Sequence, residues 1–459
     1  MKNINSKKAI FYLYGIIALS LITANVPAFG GNKTEDPKSY EEKSLIIEKN
    51  LKALRRAVAV NKERRAFEAY EKRDTEVTPW TEETDTPNQD NAALLYYQAF
   101  LLRPFLDKTA SQKIDDILRG AESDREIRTY LGHCLPVIQA AEIASRIPQC
   151  TWAIGYRAGP RFDWKDLYSE VTNLQEILML DARILAADGH YHAALERCLT
   201  LRRLARQLSD SNISGIMSFS WSVDTGALRT AKHILGVMPP NADIISWFRG
   251  QLALIQGVPM LLEKTLQANF KSYLYHMRTQ PDFFLARTRD LLVKLAEDEQ
   301  GKENARKLTD EQILSLFGEG HLRFFNSVFR IADSEMTYEQ KCTQMQRLVD
   351  ELEEGDSTDK LVKRFMSLSG TDPLAKGKYP FQVGHVAHIN GIKVALEVYL
   401  NVAKTGQLPK TIPGGLPKDP FTGLDFVYEI TNEGFALRCK GENFQGRRGK
   451  RVLEFKVKK

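Results

Sequence analysis

The residues whose types and spacing could do chemistry are few, and His385 and His388 come first. Histidines three apart share one helix face, a spacing by which helical bundles hold metal ions, zinc being the ion such a pair would take. Ile389, Ile392, Leu396, Tyr399 and Ala403 continue the same stripe. The competing expectation is that both histidines cover a core near a helix start. His190 and His192 sit in a turn, with no third ligand identifiable nearby. Asp181 follows Leu174 and Leu178 and precedes Leu185 in helical steps, which places a carboxylate on an apolar stripe. Such a group needs a partner; Arg202 or Arg203 on the next helix is expected to supply it, making Asp181 structural rather than a catalytic acid. Asp163, Asp166 and Glu170 at a helix start could mimic paired glycosidase carboxylates, but acids there are favoured by the helix dipole and read as capping. The chain has no HExxH, GxSxG, GxxxxGK or CxxCH, and no GxGxxG after a strand. No catalytic residue and no cofactor is therefore assigned from the sequence.

The elements that must position these side chains are helices. The chain has 459 residues, 43% hydrophobic and 27% charged, which excludes a disordered tail and a polytopic membrane protein. Its net charge of +6 is too small for a dedicated nucleic-acid binder. Periodicity predicts a surface helix within 39–73 and a polar linker from Thr75 to Asn88, followed by a helix over 91–105. Ser123 and Glu126 form the pattern of a capping box for a helix ending near Arg146, before Pro148. Further helices are expected over 164–187, 191–208, 212–235 and 241–277, the last interrupted near Gly257 and Pro259. Thr309 with Gln312 and Thr337 with Gln340 cap two more, and the charged interval 279–307 reads as a flexible hairpin. Gly189 at a turn, Tyr191 two residues on, and Ala194-Leu195 beyond it follow the pattern of a tetratricopeptide turn, in which small side chains let antiparallel helices approach. The expected fold is mainly α: stacked, tetratricopeptide-like helical hairpins, then a small C-terminal α+β module with one helix on a short antiparallel sheet. The expected divisions are 1–28, 39–120, 121–375 and 381–459.

Lys2, Lys7 and Lys8 precede an apolar run from Ala9 to Ile22, and Val26-Pro27-Ala28 offers a cleavage site, so residues 1–28 read as an export signal or, uncleaved, as a membrane anchor. Export would place the five cysteines in an oxidising compartment, where Cys134 and Cys150 either close one bridge or remain buried thiols. Residues 440–459 carry eight basic and two acidic side chains, a local balance of +6, so the basic excess sits at one end.

The last 79 residues combine a helix over 384–404 with a turn-rich loop and three short strands, 426–430, 434–439 and 452–457. The run Ala395-Leu396-Glu397-Val398-Tyr399, then Gly406-Gln407-Leu408-Pro409, Leu416-Pro417-Lys418-Asp419-Pro420-Phe421-Thr422-Gly423, Phe426-Val427-Tyr428 and Gly434-Phe435-Ala436-Leu437 resembles the globular head of type II secretion major pseudopilins. With Pro148-Gln149-Cys150-Thr151-Trp152 and Leu180-Asp181-Ala182-Arg183, the chain is similar to exported planctomycete-type proteins that end in such a head. The resemblance implies an α+β fold for this end. Filament assembly does not follow, because the N-terminus is an ordinary export signal. Pseudopilins bind calcium in an acidic loop that here reads Gly446-Arg447-Arg448-Gly449-Lys450-Arg451, so calcium is not expected. Asp419 and Asp425 read as turn residues.

The sequence thus predicts a non-catalytic binding or scaffold protein of the periplasm or cell envelope, with envelope proteins as partners, no nucleic acid, and membrane contact only if the N-terminal segment is retained. Two alternatives stand beside it: an envelope hydrolase with its site between helical hairpins, and an adaptor holding an acidic surface polymer or anionic lipid through Arg447, Arg448, Lys450 and Arg451. The oligomeric state is left open.

Overall fold

The computed structural model describes residues 62–73, 91–105, 108–152, 164–210, 214–255, 278–296, 298–355, 359–360, 362–364, 378–440 and 452–458. The chain divides into two compact units, Met1–Glu63 and Arg64–Lys459, and nearly all of the first lies outside the described residues. So do the export segment, the 75–88 linker and the four basic residues 447, 448, 450 and 451.

Among its described residues the second unit has only helices as regular structure as far as Thr405. Its helices are α1 (62–71), α2 (Ala92–Leu102), α3 (Lys108–Arg119), α4 (Arg125–Arg146), α5 (Trp164–Ala187), α6 (Tyr191–Ser209), α7 (Ser214–Val237), α8 (Ala242–Leu254), α9 (Pro281–Leu295), α10 (Glu299–Lys307), α11 (Asp310–Asp333), α12 (Tyr338–Glu354) and α13 (Lys378–Thr405). Strands β1 (Val427–Thr431), β2 (Gly434–Arg438) and β3 (Val452–Lys456) follow in an antiparallel sheet of order β1-β2-β3. Helices α5, α6 and α7 pack on one another and stand between two apolar cores. One core gathers α1 to α4 against them, centred on Tyr70, Tyr96, Leu131 and Leu174; the other runs through Leu195, Phe248, Phe317 and Leu396 to Phe435 and Phe455 of the sheet.

Helix termini fall where cap chemistry puts them, with one shift. Both predicted Thr/Gln boxes form: Thr309 and Thr337 accept from the backbone amides of Gln312 and Gln340, and each glutamine reaches back to its threonine's amide. The cap of α4, however, is Asp124 rather than Ser123, its carboxylate accepting from the Ile127 amide at 3.0 Å. Lys113 on α3 explains the shift, because its ammonium holds Asp124 at 2.7 Å and Glu126 at 2.5 Å, leaving Glu126 unable to fold back on Ser123. Gly189 has φ +87°, a left-handed conformation that a side chain would strain, and it turns α5 back into α6. Ala194 is wholly buried at the crossing and Tyr191 packs at its edge.

The charged interval 279–307 is not a flexible hairpin but two helices, α9 and α10, packed together. Asp298 caps α10 by accepting from the Gly301 amide, and Arg289 donates to the Leu308 carbonyl at 3.2 Å and Asp310 at 2.6 Å. Leu285, Leu292 and Ala305 form its buried stripe, so the charge belongs to the outer face.

In the C-terminal module α13 crosses the sheet so closely that a Cβ on Gly391 would stand 2.3 Å from Leu453, while Tyr399 donates its hydroxyl to the Lys456 carbonyl at 2.5 Å. Phe435 and Phe455 stack at 4.9 Å between ring centres beneath it. Asp419 organises the loop before the sheet. It is wholly buried, and its carboxylate accepts from the Phe421 amide at 3.0 Å, the Thr422 hydroxyl at 3.1 Å and the Lys440 amide at 2.8 Å. The turn residue expected at this position therefore also ties the loop to the end of β2; Asp425 is exposed. All five cysteines are free, Cys134 deep in the first core and Cys150 beyond the end of α4, so of the two alternatives the thiols are what the structure holds.

One buried group makes acid stability predictable. His321 on α11 is 3% exposed between Phe317 and Phe325, with Nδ1 donating to the Phe317 carbonyl at 2.8 Å. Burial drives its imidazole down to about 4, only partly opposed by that hydrogen bond. The unfolded chain, with histidine near 6.5, therefore binds the proton first. Stability from this site is complete above about pH 6.5 and is lost as pH falls toward 4, by up to about 3 kcal/mol. Urea unfolding at pH 7 and 4.5 should show the loss, and His321→Phe should remove that part of it; coincident pH profiles for the two proteins would contradict the assignment.

Candidate functional site

The densest gathering of ionisable side chains lies along α6, where polar groups from five helices converge inside the hairpin stack. Asp181 is wholly buried and accepts from two donors on its two oxygens: the Tyr70 hydroxyl at 2.7 Å and Arg197 Nε at 2.7 Å. Arg73 adds a cation 4.0 Å away and lays its guanidinium over the Tyr70 ring at 3.5 Å. The partner is thus Arg197, not Arg202 or Arg203 as the sequence suggested. The hairpin's geometry gives the reason: Asp181 lies eight residues before the Gly189 turn and Arg197 eight after, so antiparallel helices bring them level. Arg202 is five residues further along, a displacement of about 7.5 Å at the helical rise.

Arg197 also pairs with Glu142 of α4. Burial pushes the Glu142 carboxyl upward despite that cation, whereas the surrounding carboxylates overcome burial and raise the guanidinium's affinity for its proton. One position back, Glu196 receives Arg203 at 2.8 Å and Arg146 at 3.4 Å. At the hairpin's turn Arg128 grips both oxygens of Asp188, at 2.7 and 2.9 Å, and reaches Glu71 at 3.1 Å. Gln207 completes the ladder: its amide donates to the last carbonyls of α4, Ala144 at 3.1 Å and Ile147 at 2.8 Å, and accepts from the Tyr96 hydroxyl at 2.7 Å. A side chain of α6 thereby satisfies the Ile147 carbonyl beyond the end of α4 and shares that of Ala144 with the Ile147 amide.

A second polar centre joins α6 and α7 to the C-terminal helix. Asp224, wholly buried on α7, has Arg202 Nε 3.0 Å from one oxygen and His385 Nε2 of α13 3.0 Å from the other. Arg202 thus pairs with Asp224 by charge, while His385 Nε2 makes a close polar contact with its other oxygen. The other ring nitrogen, Nδ1, stands 3.2 Å from the Thr225 hydroxyl. Burial works to raise the Asp224 carboxyl, but Arg202, His385 and His388 together outweigh it and hold the group below the ordinary carboxylate range. His385 and His388 are both buried, and His385 serves Asp224; no group of three potential ligands suited to a metal ion occurs among the described residues.

The remaining candidates separate. His192 rests against the Trp247 ring at 3.8 Å between centres. Glu170 bridges to Arg103 at 3.3 Å, while the side chains of Asp163 and Asp166 lie outside the described residues. Reading the sequence had not singled out Arg197, Tyr70, Glu142, Gln207, Asp224 or Thr225. For Arg197 the signal was available in its symmetry with Asp181 about Gly189; for Asp224 it was a lone acid in the apolar run of α7.

Chemically, the first centre engages both oxygens of Asp181, while Arg73 keeps two buried N–H groups without an acceptor among the described residues. The second places hydroxyl, imidazole and carboxylate in line. Compared with known proteins, the chain matches no protein-family model, no curated protein and no solved structure.

Proposed function

We propose that this is an exported protein of the cell envelope that binds a partner protein, using the helical body as scaffold and carrying a pseudopilin-head-like module at its C-terminal end. One observation carries the binding reading: α2 is apolar on both faces. Ala92, Ala93, Leu95, Tyr96 and Ala99 enter the core, yet Leu94 and Leu101, seven apart on α2, and Phe105 just beyond its end are 65, 88 and 91% exposed. Large apolar side chains aligned on a surface mark a place that another protein covers. The burial of the charged groups in the ladder fits a scaffold, in which ions fix the helices to one another. The α5–α6 hairpin, with Gly189 in its turn and Ala194 at the crossing, supports reading the stack as tetratricopeptide-like, and the helix-on-sheet packing around Tyr399 supports the pseudopilin comparison.

The test is a photo-crosslinking residue at Gln98, exposed between Leu94 and Leu101 on α2. A discrete crosslinked envelope protein is expected, and Leu101→Asp with Phe105→Asp should abolish it without changing the melting temperature. A crosslink pattern that survives both substitutions would defeat the reading.

The Thr225–His385–Asp224 line supports a second reading, a hydrolase in which the Thr225 hydroxyl attacks and His385 takes its proton. It requires fluorophosphonate labelling that is lost in Thr225→Val.

A further inference from the structure

The basic side chains of α5 and α7 include a set that the ionic ladder does not use. Arg229, Lys232, His233 and Gly236 follow one another by three, one and three, and so share a face of α7. Strand β3 lies across the end of that face: a Cβ on Gly236 would meet the Lys456 side chain at 3.3 Å, and Lys232 Nζ is 5.9 Å from the Phe455 ring. From the neighbouring helix α5, Arg183 joins them. Its Nε is buried and donates to nothing among the described residues, in contrast to Arg197, Arg203 and Arg128. Burial alone lowers its proton affinity, with only the Cys198 thiol opposing. His233 is driven to about 4 by burial and then by the positive fields of Arg183 and Lys456, so at neutral pH it is an uncharged imidazole beside cations. Lys232 is also disfavoured by burial and by Arg229, with Glu454 opposing. Among the described residues the carboxylates near this face are on the sheet side: Glu454 near Lys232, and Glu433, which holds Lys456 at 2.8 Å. Four cations, Arg183, Arg229, Lys232 and Lys456, thus face two carboxylates.

Arg183 and Lys232 are half-buried, with Arg229 and Lys456 exposed at the rim, and like charges drawn together at partly buried positions destabilise a fold unless something answers them. We infer that the corner formed by Arg183, Arg229, Lys232, His233 and Lys456 is a binding site for a phosphate group. Several cations from three elements, one a planar guanidinium with an unused donor, match an anion with more than one charge and several acceptor oxygens, which a lone carboxylate does not offer. The inference is independent of the apolar face of α2 and does not involve the basic residues 447–451. A bound phosphate would reverse the field on His233, favour its imidazolium and gain a further charged donor, so binding tightens as pH falls through the raised midpoint of the bound state toward the free value of about 4.

The test follows the ring resonances of His233 in the full chain, assigned with His233→Gln, while inorganic pyrophosphate is added in one arm and vesicles of phosphatidylcholine with phosphatidylglycerol in another. Saturation is expected to raise the His233 titration midpoint by at least one pH unit. Arg183→Gln should weaken binding at least tenfold, and since it removes an unanswered cation it should melt no lower than the parent. A response to pyrophosphate identifies a soluble phosphate compound as the ligand class, and a response to vesicles alone identifies a lipid headgroup. The inference fails if neither probe moves His233, if Arg183→Gln binds as the parent does, or if polyglutamate produces the same shift as the phosphate probes.

Discussion

Arg197→Met is expected to destabilise the protein by about 3–5 kcal/mol, the usual cost of removing one member of a buried ion pair. The guanidinium serves two carboxylates at once, the wholly buried Asp181 and Glu142. Without it Asp181 keeps the Tyr70 hydroxyl at 2.7 Å and the cation of Arg73 at 4.0 Å, which cannot replace a charged donor at 2.7 Å. Glu142 moves further upward, because burial already raises it and Arg197 is its principal counterweight. The substitution itself is nearly matched in volume, so the loss should be electrostatic rather than a cavity. A second variant separates the two: Asp181→Leu combined with Arg197→Met removes both charges and should recover much of the deficit, giving a coupling energy well above the few tenths of a kcal/mol expected of independent sites. Asp181→Asn alone keeps an oxygen for Tyr70 and should lower the melting temperature less than Arg197→Met. Denaturant midpoints for the parent, Arg197→Met, Asp181→Leu and the double variant close the cycle, and additive losses would mean that the pair does not hold α5 to α6.

The helices were legible because their signals are local. Apolar periodicity and caps at Thr309 and Thr337 are decided within a turn or two of chain, and the three strands of the C-terminal module were bounded to within a residue by their turn residues. Errors began where a second element intervened. Ser123 lost its cap to Asp124 because Lys113, on another helix, captured Glu126. The 279–307 interval looked loose because its solvated face outweighs a stripe of three buried residues. At the polar centres, burial of Asp181 was readable from its place on an apolar stripe, but the identity of its partner required the phase of one helix against another. Tyr70 lies 111 residues from Asp181, and His385 lies 160 residues from Thr225; nothing in local sequence relates them. The buried thiols show the same limit, since spacing alone left bridge and free cysteine equally open.

The second large effect concerns the attachment of the C-terminal module. Arg202→Met should cost about 3–5 kcal/mol at pH 7, because Asp224 is wholly buried and its remaining neighbours, His385 and His388, are not permanent cations. The pH dependence distinguishes this from a packing defect. In the parent the Asp224 carboxyl lies below its ordinary value, so the stability it contributes is present above the unfolded value near 3.9 and is lost only as pH falls through the lower folded one. With Arg202 removed, burial becomes the dominant influence and the carboxyl moves above the ordinary value. The variant then sheds its buried charge by protonation in milder acid, and the gap between the two proteins should close as pH falls from 7 toward 4. A gap that stays constant with pH would show that Arg202 acts by filling space. Because Asp224 joins α6 and α7 to His385 on α13, the loss should also be local: amide hydrogen exchange in α13 and the three strands should accelerate more than in α2 or α4, which belong to the other core. Uniform acceleration throughout the unit would place the weakness elsewhere than at this joint.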